Sequence, residues 1–436
     1  MPKQINFFKG HPTLDLLPKE ELSNAFTRVI RDTAHTDYES DPDNRHPLQY
    51  GTDPGNLTAR QALAQWVNKQ FDRDSLSANQ INLTGGSSYG AQNILLATTS
   101  TEITKQAFIV SPTYFLINYA FIDAGFEGKM TAIKETPGEQ YEIDLDYLKE
   151  QLEYHDQKNG LEPVGDTEIN ILIDPTGRGK RKQYRYVMYL VPTFSNPGGL
   201  TYSESTRSKL VKLARKHDML LLSDDVYDHL HYEGKPPVRK LSQIDQDTLP
   251  KNWSYGNTVS NASFSKIIAP GFRVGWQETV SSALASQLAT TGANKSGGSP
   301  GQLNSIVVQH FIEDGILNKT IEFYKKTYKS RSQTLRQALE KHLPTKHTKI
   351  YGGDGGYFTW VEIKDSSVDL QKVIITLQKT HNVVIADGGN FEVAGDSLGW
   401  SKIGARLCVA LLNEQEIEEG IEQWGKVLRE AHPDLY

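Results

Sequence analysis

The sequence has little of two features that would assign it to specialised protein classes. It contains one cysteine, Cys408, in 436 residues, which excludes an intramolecular disulfide and is compatible with a reducing compartment. No apolar run approaches the ~18 residues of a membrane-spanning helix, and no N-terminal apolar segment has the length of a signal peptide. We therefore expect a cytoplasmic protein without a membrane segment.

An excess of positive charge is also missing. The chain has 47 Lys and Arg against 53 Asp and Glu, for a net charge of −6, which gives no support for a nucleic-acid or membrane surface. Apolar residues make up 37% of the chain, as suits a globular protein. Because single cores stop growing near ~250–300 residues, we expect two domains. We also expect no nucleic-acid partner and no metal.

One lysine stands between two hydroxyls and an arginine in the stretch NASFSKIIAPGFRVGW, residues 261–276. Apolar neighbours that desolvate Lys266 would lower the pKa of its amine and make it a better nucleophile. Ser263, Ser265 and Arg273 are residue types that hold phosphate, since hydroxyls donate to it and a guanidinium bonds two of its oxygens. A lysine beside a phosphate site suggests the phosphorylated aldehyde pyridoxal phosphate. A surface lysine next to a Pro-Gly turn is the alternative.

A second anion-binding motif lies earlier in the chain, in INLTGGSSYG. A short apolar strand ends at Gly85 and Gly86 and leads through Ser87 and Ser88 into a helix. Free backbone N–H groups at the start of a helix bind phosphate, and glycines let the backbone approach it closely. A plain serine N-cap is the alternative.

An arginine interrupts the apolar strand KIGARLCVALL. Burying Arg406 is costly unless it is paired, and a substrate carboxylate would pair with it through two parallel hydrogen bonds. A structural salt bridge is the alternative.

Together these motifs resemble those of the class I/II aminotransferases of fold type I. The resemblance implies that Lys266 forms an imine with pyridoxal phosphate, that Arg273 binds the cofactor phosphate, and that Arg406 binds the substrate α-carboxylate. It also implies an α/β fold with a mainly parallel seven-stranded sheet in a large domain and a smaller α+β C-terminal domain, and the alternation of strands and helices agrees. We expect an arm that is part of the small domain at 1–45, the large domain at 46–310 and the small domain at 311–436.

Further cofactor contacts follow from the resemblance. Tyr114 matches the residue that stacks on the pyridine ring, with core packing as the alternative, and Asn196 in SNPGG matches the asparagine that bonds the phenolic oxygen. Asp224 would keep the pyridine nitrogen protonated, and Tyr227 would donate to the phenolic oxygen. Ser87 fits the phosphate position of the family, whereas Ser88 replaces its usual glutamine.

Tyr50 loosely matches a tyrosine that crosses to the neighbouring subunit and touches its cofactor phosphate. An ordinary surface tyrosine is the alternative. Because the resemblance implies a site shared between subunits, we expect a homodimer.

The expected activity is transfer of an amino group from an L-amino acid to a 2-oxo acid. The N-terminal layout, with GHPTLDLLP ahead of Tyr50, is similar to the branch that handles 2-aminoadipate, aromatic or kynurenine-type amino acids. A β-lyase or C–S lyase on the same site is one alternative. The other is a non-enzymatic effector domain, which is disfavoured because only about 45 polar residues precede the body, too few for a winged-helix module.

For residues 169–186 the sequence predicts secondary structure and exposure but no site residue. INILID, residues 169–174, is predicted to be a buried strand, and the basic run PTGRGKRKQYRY after it is predicted to be mainly a solvent-exposed loop. A role for that run in attracting anionic substrates is a further possibility.

Overall fold

The computed structural model describes residues 3–31, 45–136, 142–297 and 301–436. The described residues form sixteen strands, numbered β1 to β16 in chain order: Ile5–Asn6, Ile81–Thr84, Gln106–Ser111, Met130–Thr136, Glu142–Ile143, Ile171–Ile173, Lys180–Lys182, Tyr186–Leu190, Met219–Asp224, Thr258–Ser263, Gly275–Thr279, Thr348–Gly352, Phe358–Ile363, Val383–Val384, Ala386–Asp387 and Gly404–Cys408.

The same residues form twelve α-helices, numbered α1 to α12: Lys19–Arg31, Leu57–Gln70, Ser87–Thr98, Ile117–Phe121, Leu145–Asn159, Glu204–His217, Leu241–Asp247, Ser282–Ala289, Gln302–Glu313, Ile316–His342, Leu370–His381 and Glu414–Ala431. None of these helices is long and apolar enough to cross a lipid bilayer.

The central sheet has the strand order β2-β11-β10-β9-β8-β3-β4-β5. Strands β10, β9, β8, β3 and β4 are parallel to one another, and β11 runs antiparallel to both of its neighbours. The prediction of an α/β fold with a mainly parallel sheet is confirmed. The sheet has one strand more than predicted, because the two-residue β5 pairs antiparallel with the end of β4, and so short a strand carries no pattern of its own.

Parallel strands end at a common edge of the sheet, and polar turns follow those ends here. Gly85 to Ser88 follow β2, Asn196 comes six residues after β8, Asp224 ends β9, and Ser263 ends β10 and leads to Lys266. Ligands of open α/β sheets bind at this carboxyl edge. Strands β2, β8, β9, β10 and β11 are buried at every residue, although β10 and β11 carry several polar side chains. Burial on both faces is what a sheet with helical cover requires.

A second, antiparallel sheet has the order β12-β13-β16-β15 and carries Arg406 at the centre of β16, opposite Trp360 and Ala386. The first strand of the chain joins the same region, since β1 pairs in parallel with β14. The domain boundaries given above stay predictions.

The segment predicted as a buried strand and an exposed loop is different in the structure. Residues 171–173 pair only with β7, in a hairpin outside the central sheet, so Leu172 is 48% exposed and Ile173 is 81% exposed. The basic run is only partly in solvent, because Arg181 and Lys182 are buried beside Asp174 and Asp218. The predicted strand is present as β6, but its predicted burial was wrong, because an apolar run does not reveal which partner strand will cover it. The basic run is exposed only in its first half, since its second half enters β7 and the buried residues after it.

Candidate active site

A cleft of about 300 Å³ opens at the carboxyl edge of the central sheet. Ten of the twelve predicted site residues line it, namely Ser87, Ser88, Tyr114, Asn196, Asp224, Tyr227, Ser265, Lys266, Arg273 and Arg406. The other two, Ser263 and Tyr50, lie outside its lining.

Lys266 ends the short 3-10 helix Phe264–Lys266 after β10. Its Nζ donates to the Gly10 carbonyl at 2.9 Å and lies 5.1 Å from the centre of the Tyr357 ring. Burial, together with the positive charges of Arg406 and Arg273, lowers the pKa of Lys266 to about 8. The amine is therefore neutral in a sizeable fraction of molecules near neutral pH, as a nucleophile or proton acceptor must be.

Asp224 is buried at the end of β9. Its Oδ2 accepts a hydrogen bond from the hydroxyl of Tyr189 at 2.7 Å, while its buried Oδ1 accepts none from any residue that the structure describes. Burial raises the pKa of Asp224 to about 7, against the hydrogen bond from Tyr189, which favours the ionised form. A buried carboxyl oxygen without a donor is expensive, so this oxygen fits a cationic N–H group of a ligand.

The phosphate-binding groups surround the start of α3. Gly86 caps that helix with φ +107°, and the added Cβ of any other residue would stand 2.7 Å from Arg273 Nη2. Arg273 reaches back to the Gly85 carbonyl at 2.8 Å. Ser87 and Ser88 at the start of α3 line the same cleft as Arg273, and free backbone N–H groups, hydroxyls and a guanidinium are the donors that an anion site needs.

Ser263 forms hydrogen bonds with Ser265, a residue of the cleft lining. Its hydroxyl donates to the hydroxyl of Ser265 at 2.9 Å and accepts from the backbone N–H of Ser265 at 3.1 Å. Ser265 is the hydroxyl that lines the cleft. Ser263 is thus outside the cleft lining and bonded to a residue within it, and its predicted contact with the cofactor phosphate stays a prediction.

Arg406 is 3% exposed. Its Nη1 donates to Asn196 Oδ1 at 2.7 Å and its Nη2 donates to the Phe8 carbonyl. The guanidinium carbon lies within 5.6 Å of the ring centres of Phe8, Phe358 and Phe391. Within the described ranges no carboxylate pairs with it, so the salt-bridge alternative has no support there.

Two tyrosines predicted as site residues, Tyr114 and Tyr227, are in the cleft lining. Tyr114 lines the cleft and forms a hydrogen bond with Ser88, and burial raises the pKa of its phenol. Tyr227 is buried, with its ring centre 5.6 Å from that of Tyr357. Tyr114 is only partly buried, so one side of its ring remains available to a ligand.

The segment from Phe8 to Gly10 was not predicted to belong to the site. All three residues line the cleft, and two of their carbonyls accept from Lys266 and Arg406. The pairing of β1 with β14 brings them there. A contact so distant in sequence leaves no local pattern that could have revealed it.

Tyr50 is 73% exposed and lies away from the cleft of its own chain. Its predicted role needs a neighbouring subunit and stays a prediction.

Pyridoxal phosphate fits these residues. The anion site at Gly86 and Arg273 suits its phosphate, the Asp224 Oδ1 that no described residue contacts suits a protonated ring nitrogen, and the Lys266 amine suits its aldehyde. Arg273, Asp224 and Lys266 line the same cleft, as the contacts of one bound molecule require.

Comparison with known proteins gives the same assignment. Residues 19–423 match the model of the family described as aminotransferase class I and II. An uncharacterized protein of Saccharomyces cerevisiae is 43% identical over 98% of this chain and 97% of its own length. An aromatic-amino-acid aminotransferase of Thermococcus litoralis is 26% identical over 98% of this chain and 88% of its own.

A solved structure agrees along the whole chain. The crystal structure of the multiple substrate aminotransferase from Thermococcus profundus superposes with a TM-score of 0.77 at 25% identity, covering 100% of this chain and 93% of that one. Both the fold and the cleft are thus accounted for by one family. The chain belongs to the class I and II aminotransferases, with pyridoxal phosphate as its cofactor.

Proposed function

We propose that the protein transfers the amino group of an L-amino acid to a 2-oxo acid, with 2-aminoadipate or aromatic-type amino acids as the favoured donors. The observation that carries this proposal is Arg406, which shares the cleft with Lys266 and forms no ion pair with a carboxylate of the described chain. The α-carboxylate of an amino acid supplies the missing charge and accepts two hydrogen bonds from the guanidinium.

The rest of the lining supports the choice of donors. Phe8, Phe115 and Phe358 offer aromatic surface to a substrate side chain, as an aromatic amino acid would need. Lys9 is an exposed cation in the same lining, and its ammonium suits the distal carboxylate of 2-aminoadipate. The name of the Thermococcus litoralis relative, an aromatic-amino-acid aminotransferase, favours the aromatic class.

The catalytic roles follow from chemistry. Bound pyridoxal phosphate supplies an aldehyde that takes the amino group and a ring that holds the electron pair released at the α-carbon. Lys266 Nζ removes the proton from the α-carbon of the substrate and later returns one. Asp224 keeps the ring nitrogen protonated, and the hydroxyl of Tyr227 donates to the phenolic oxygen.

The remaining residues hold and orient the reactants. The phosphate is held by Arg273 and Ser265, with Ser263 behind them, and by the start of α3 at Ser87 and Ser88. Tyr114 stacks on the ring. Asn196 bonds the phenolic oxygen and also fixes the guanidinium of Arg406.

The test is a single-turnover reaction of the cofactor-loaded enzyme. The visible spectrum is recorded before and after addition of 2-aminoadipate or an aromatic amino acid, with Lys266→Ala alongside, and the products are identified. Conversion of the cofactor to its pyridoxamine form with release of one 2-oxo acid per site supports the proposal. Lys266→Ala should lose this conversion.

Other outcomes overturn the proposal. Release of pyruvate and ammonia without pyridoxamine formation would identify a lyase. If aliphatic amino acids without a distal carboxylate react at least tenfold faster than both favoured classes, the proposed substrate class is wrong while transamination stands.

The quaternary structure and location belong to the same proposal. A homodimer would let Tyr50 reach the cofactor phosphate of the neighbouring subunit. The cytoplasmic location is the one that the composition favours.

A further inference from the structure

Strand β8 carries two buried tyrosines that point to opposite faces of the central sheet. Tyr186 and Tyr189 are three residues apart, and side chains of a strand alternate between faces. Tyr186 packs in one hydrophobic cluster, with Met188 and Leu190, while Tyr189 packs in the other, with Val187 and Val191. Only the face of Tyr189 leads to the cleft, which Val191 also lines.

Each of these tyrosines donates to a buried aspartate. The hydroxyl of Tyr189 donates to Asp224 Oδ2 at 2.7 Å, and that of Tyr186 donates to Asp156 Oδ1 at 2.8 Å. The two tyrosines are 1% and 0% exposed. Strand β8 therefore contributes to two similar phenol–carboxylate pairs, of which one lies at the candidate active site.

The Tyr189 pair determines which carboxylate oxygen a ligand can use. Oδ2 is occupied by the phenol, and Oδ1 has no donor among the residues that the structure describes. A carboxylate held at one oxygen by a rigid buried phenol cannot turn freely about its Cβ–Cγ bond. Its second oxygen is consequently presented in one orientation before any ligand arrives.

We propose that Tyr189 is a positioning residue, whose hydroxyl fixes the Asp224 carboxylate so that Oδ1 meets the ring nitrogen of the cofactor. This inference rests on the role proposed for Asp224. It assigns a function to a tyrosine that touches neither cofactor nor substrate and acts through the carboxylate.

The Tyr189 hydroxyl also stabilises the negative charge of the Asp224 carboxylate, which pairs with the protonated ring nitrogen of the cofactor. A hydrogen bond donated to a carboxylate favours its ionised form, and burial opposes that form at Asp224. Removing the hydroxyl leaves the carboxylate less ionised and free to rotate, and both changes weaken its pairing with a protonated ring nitrogen. Hydrogen bonds to charged groups of this kind correspond to roughly 10- to 150-fold in affinity.

The experiment compares Tyr189→Phe with Tyr186→Phe. Each removes one hydroxyl from β8 and takes one hydrogen bond from a buried aspartate; Asp156 keeps its contact with His217 Nδ1 at 2.6 Å. The cofactor-free proteins are titrated with pyridoxal phosphate to obtain Kd, and thermal unfolding and steady-state kinetics are measured in parallel. Asp224→Asn and the double variant Tyr189→Phe/Asp224→Asn complete a thermodynamic cycle.

The expected result separates positioning from folding. Both single phenylalanine variants should lose a similar amount of thermal stability, but only Tyr189→Phe should raise the Kd for pyridoxal phosphate, by about tenfold or more. Its kcat should fall while KM for the amino acid changes less than twofold. In the Asp224→Asn background, Tyr189→Phe should change Kd by less than twofold.

Two results would overturn the inference in distinguishable ways. If Asp224→Asn weakens cofactor binding but Tyr189→Phe does not, or if Tyr186→Phe weakens it equally, Tyr189 has no positioning role and the role of Asp224 stands. If Asp224→Asn itself leaves Kd unchanged, the role proposed for Asp224 is wrong.

Discussion

Arg406 on β16 and Asn196 after β8 are joined by a 2.7 Å hydrogen bond that runs from the second sheet to the carboxyl edge of the first. The amide oxygen of Asn196 orients the guanidinium, so the turn after β8 and strand β16 meet at this contact. A substrate that binds Arg406 is placed against the residue proposed to touch the cofactor.

Replacing Arg406 tests its role in substrate binding. A lysine keeps the charge but not the planar fork, so Arg406→Lys should lower kcat/KM for amino acids by roughly 10- to 150-fold, or about 1.5–3 kcal/mol. The matched control is Arg331→Lys. Arg331 is also buried and bonds the backbone carbonyl of Ala410 at 2.9 Å, yet it lies outside the cleft. An equal loss of kcat/KM in both variants would contradict the assignment.

Gly86 offers a test of the phosphate site. Alanine there must adopt φ +107° and place its Cβ 2.7 Å from Arg273 Nη2, so Gly86→Ala should raise the Kd for pyridoxal phosphate at least tenfold, as measured by titration. Gly179→Ala is the control, because Gly179 has φ +86° and no described atom within 4 Å of an added Cβ. Both variants carry backbone strain of about 1–3 kcal/mol. Cofactor binding that is unchanged in Gly86→Ala would rule out this anion site.

The raised pKa of Asp224 makes the stability of the cofactor-free protein depend on pH. Between the unfolded value near 3.8 and the folded value of about 7, the folded protein holds a proton that the unfolded chain has released, so stability falls as pH rises through this window. Asp224→Asn has no such proton. From pH 5 to pH 8 the wild type should therefore lose about 2–3 kcal/mol of unfolding free energy relative to Asp224→Asn.

Urea denaturation of both cofactor-free proteins at several pH values measures this difference. A constant difference across the range would mean that Asp224 is ionised in the folded protein throughout.

A shared site predicts complementation between two defective chains. Lys266→Ala should be inactive, and Tyr50→Ala should bind the cofactor more weakly. In a mixed dimer, the chain with intact Lys266 receives Tyr50 from its partner and forms one complete site. At limiting cofactor, mixing the two variants after mild denaturation should thus raise activity above the sum of the activities of the separate proteins. If activity does not rise, Tyr50 has no role across the interface.

Most cleft residues were predictable because they follow strands that can be recognised by their apolar runs. Ser87 and Asp224 each stand at such an end, and parallel strands bring their ends together. Lys266 follows the mostly polar β10 and was recognisable from the hydroxyls and the arginine around it in sequence. Arg406 was recognisable for another reason, as a charge inside an apolar strand. Their chemical roles still rest on the family resemblance.

Other residues carried no usable signal. Tyr189 looks like one more apolar residue of β8, since nothing local shows that its hydroxyl meets Asp224. The hairpin of β6 and β7 was misjudged because its apolar side chains pack against no neighbouring strand of the central sheet. Each of these facts depends on tertiary pairing, which periodicity does not encode.

The pairing of β1 with β14 also has a consequence for biosynthesis. Ile5 and Asn6 leave the ribosome long before their partners Val383 and Val384, which lie 378 positions later in the chain. At ~5–20 residues per second, this delay is on the order of tens of seconds. Phe8 to Gly10 follow β1 directly, so the cleft acquires this part of its lining only after Val383 and Val384 have been made.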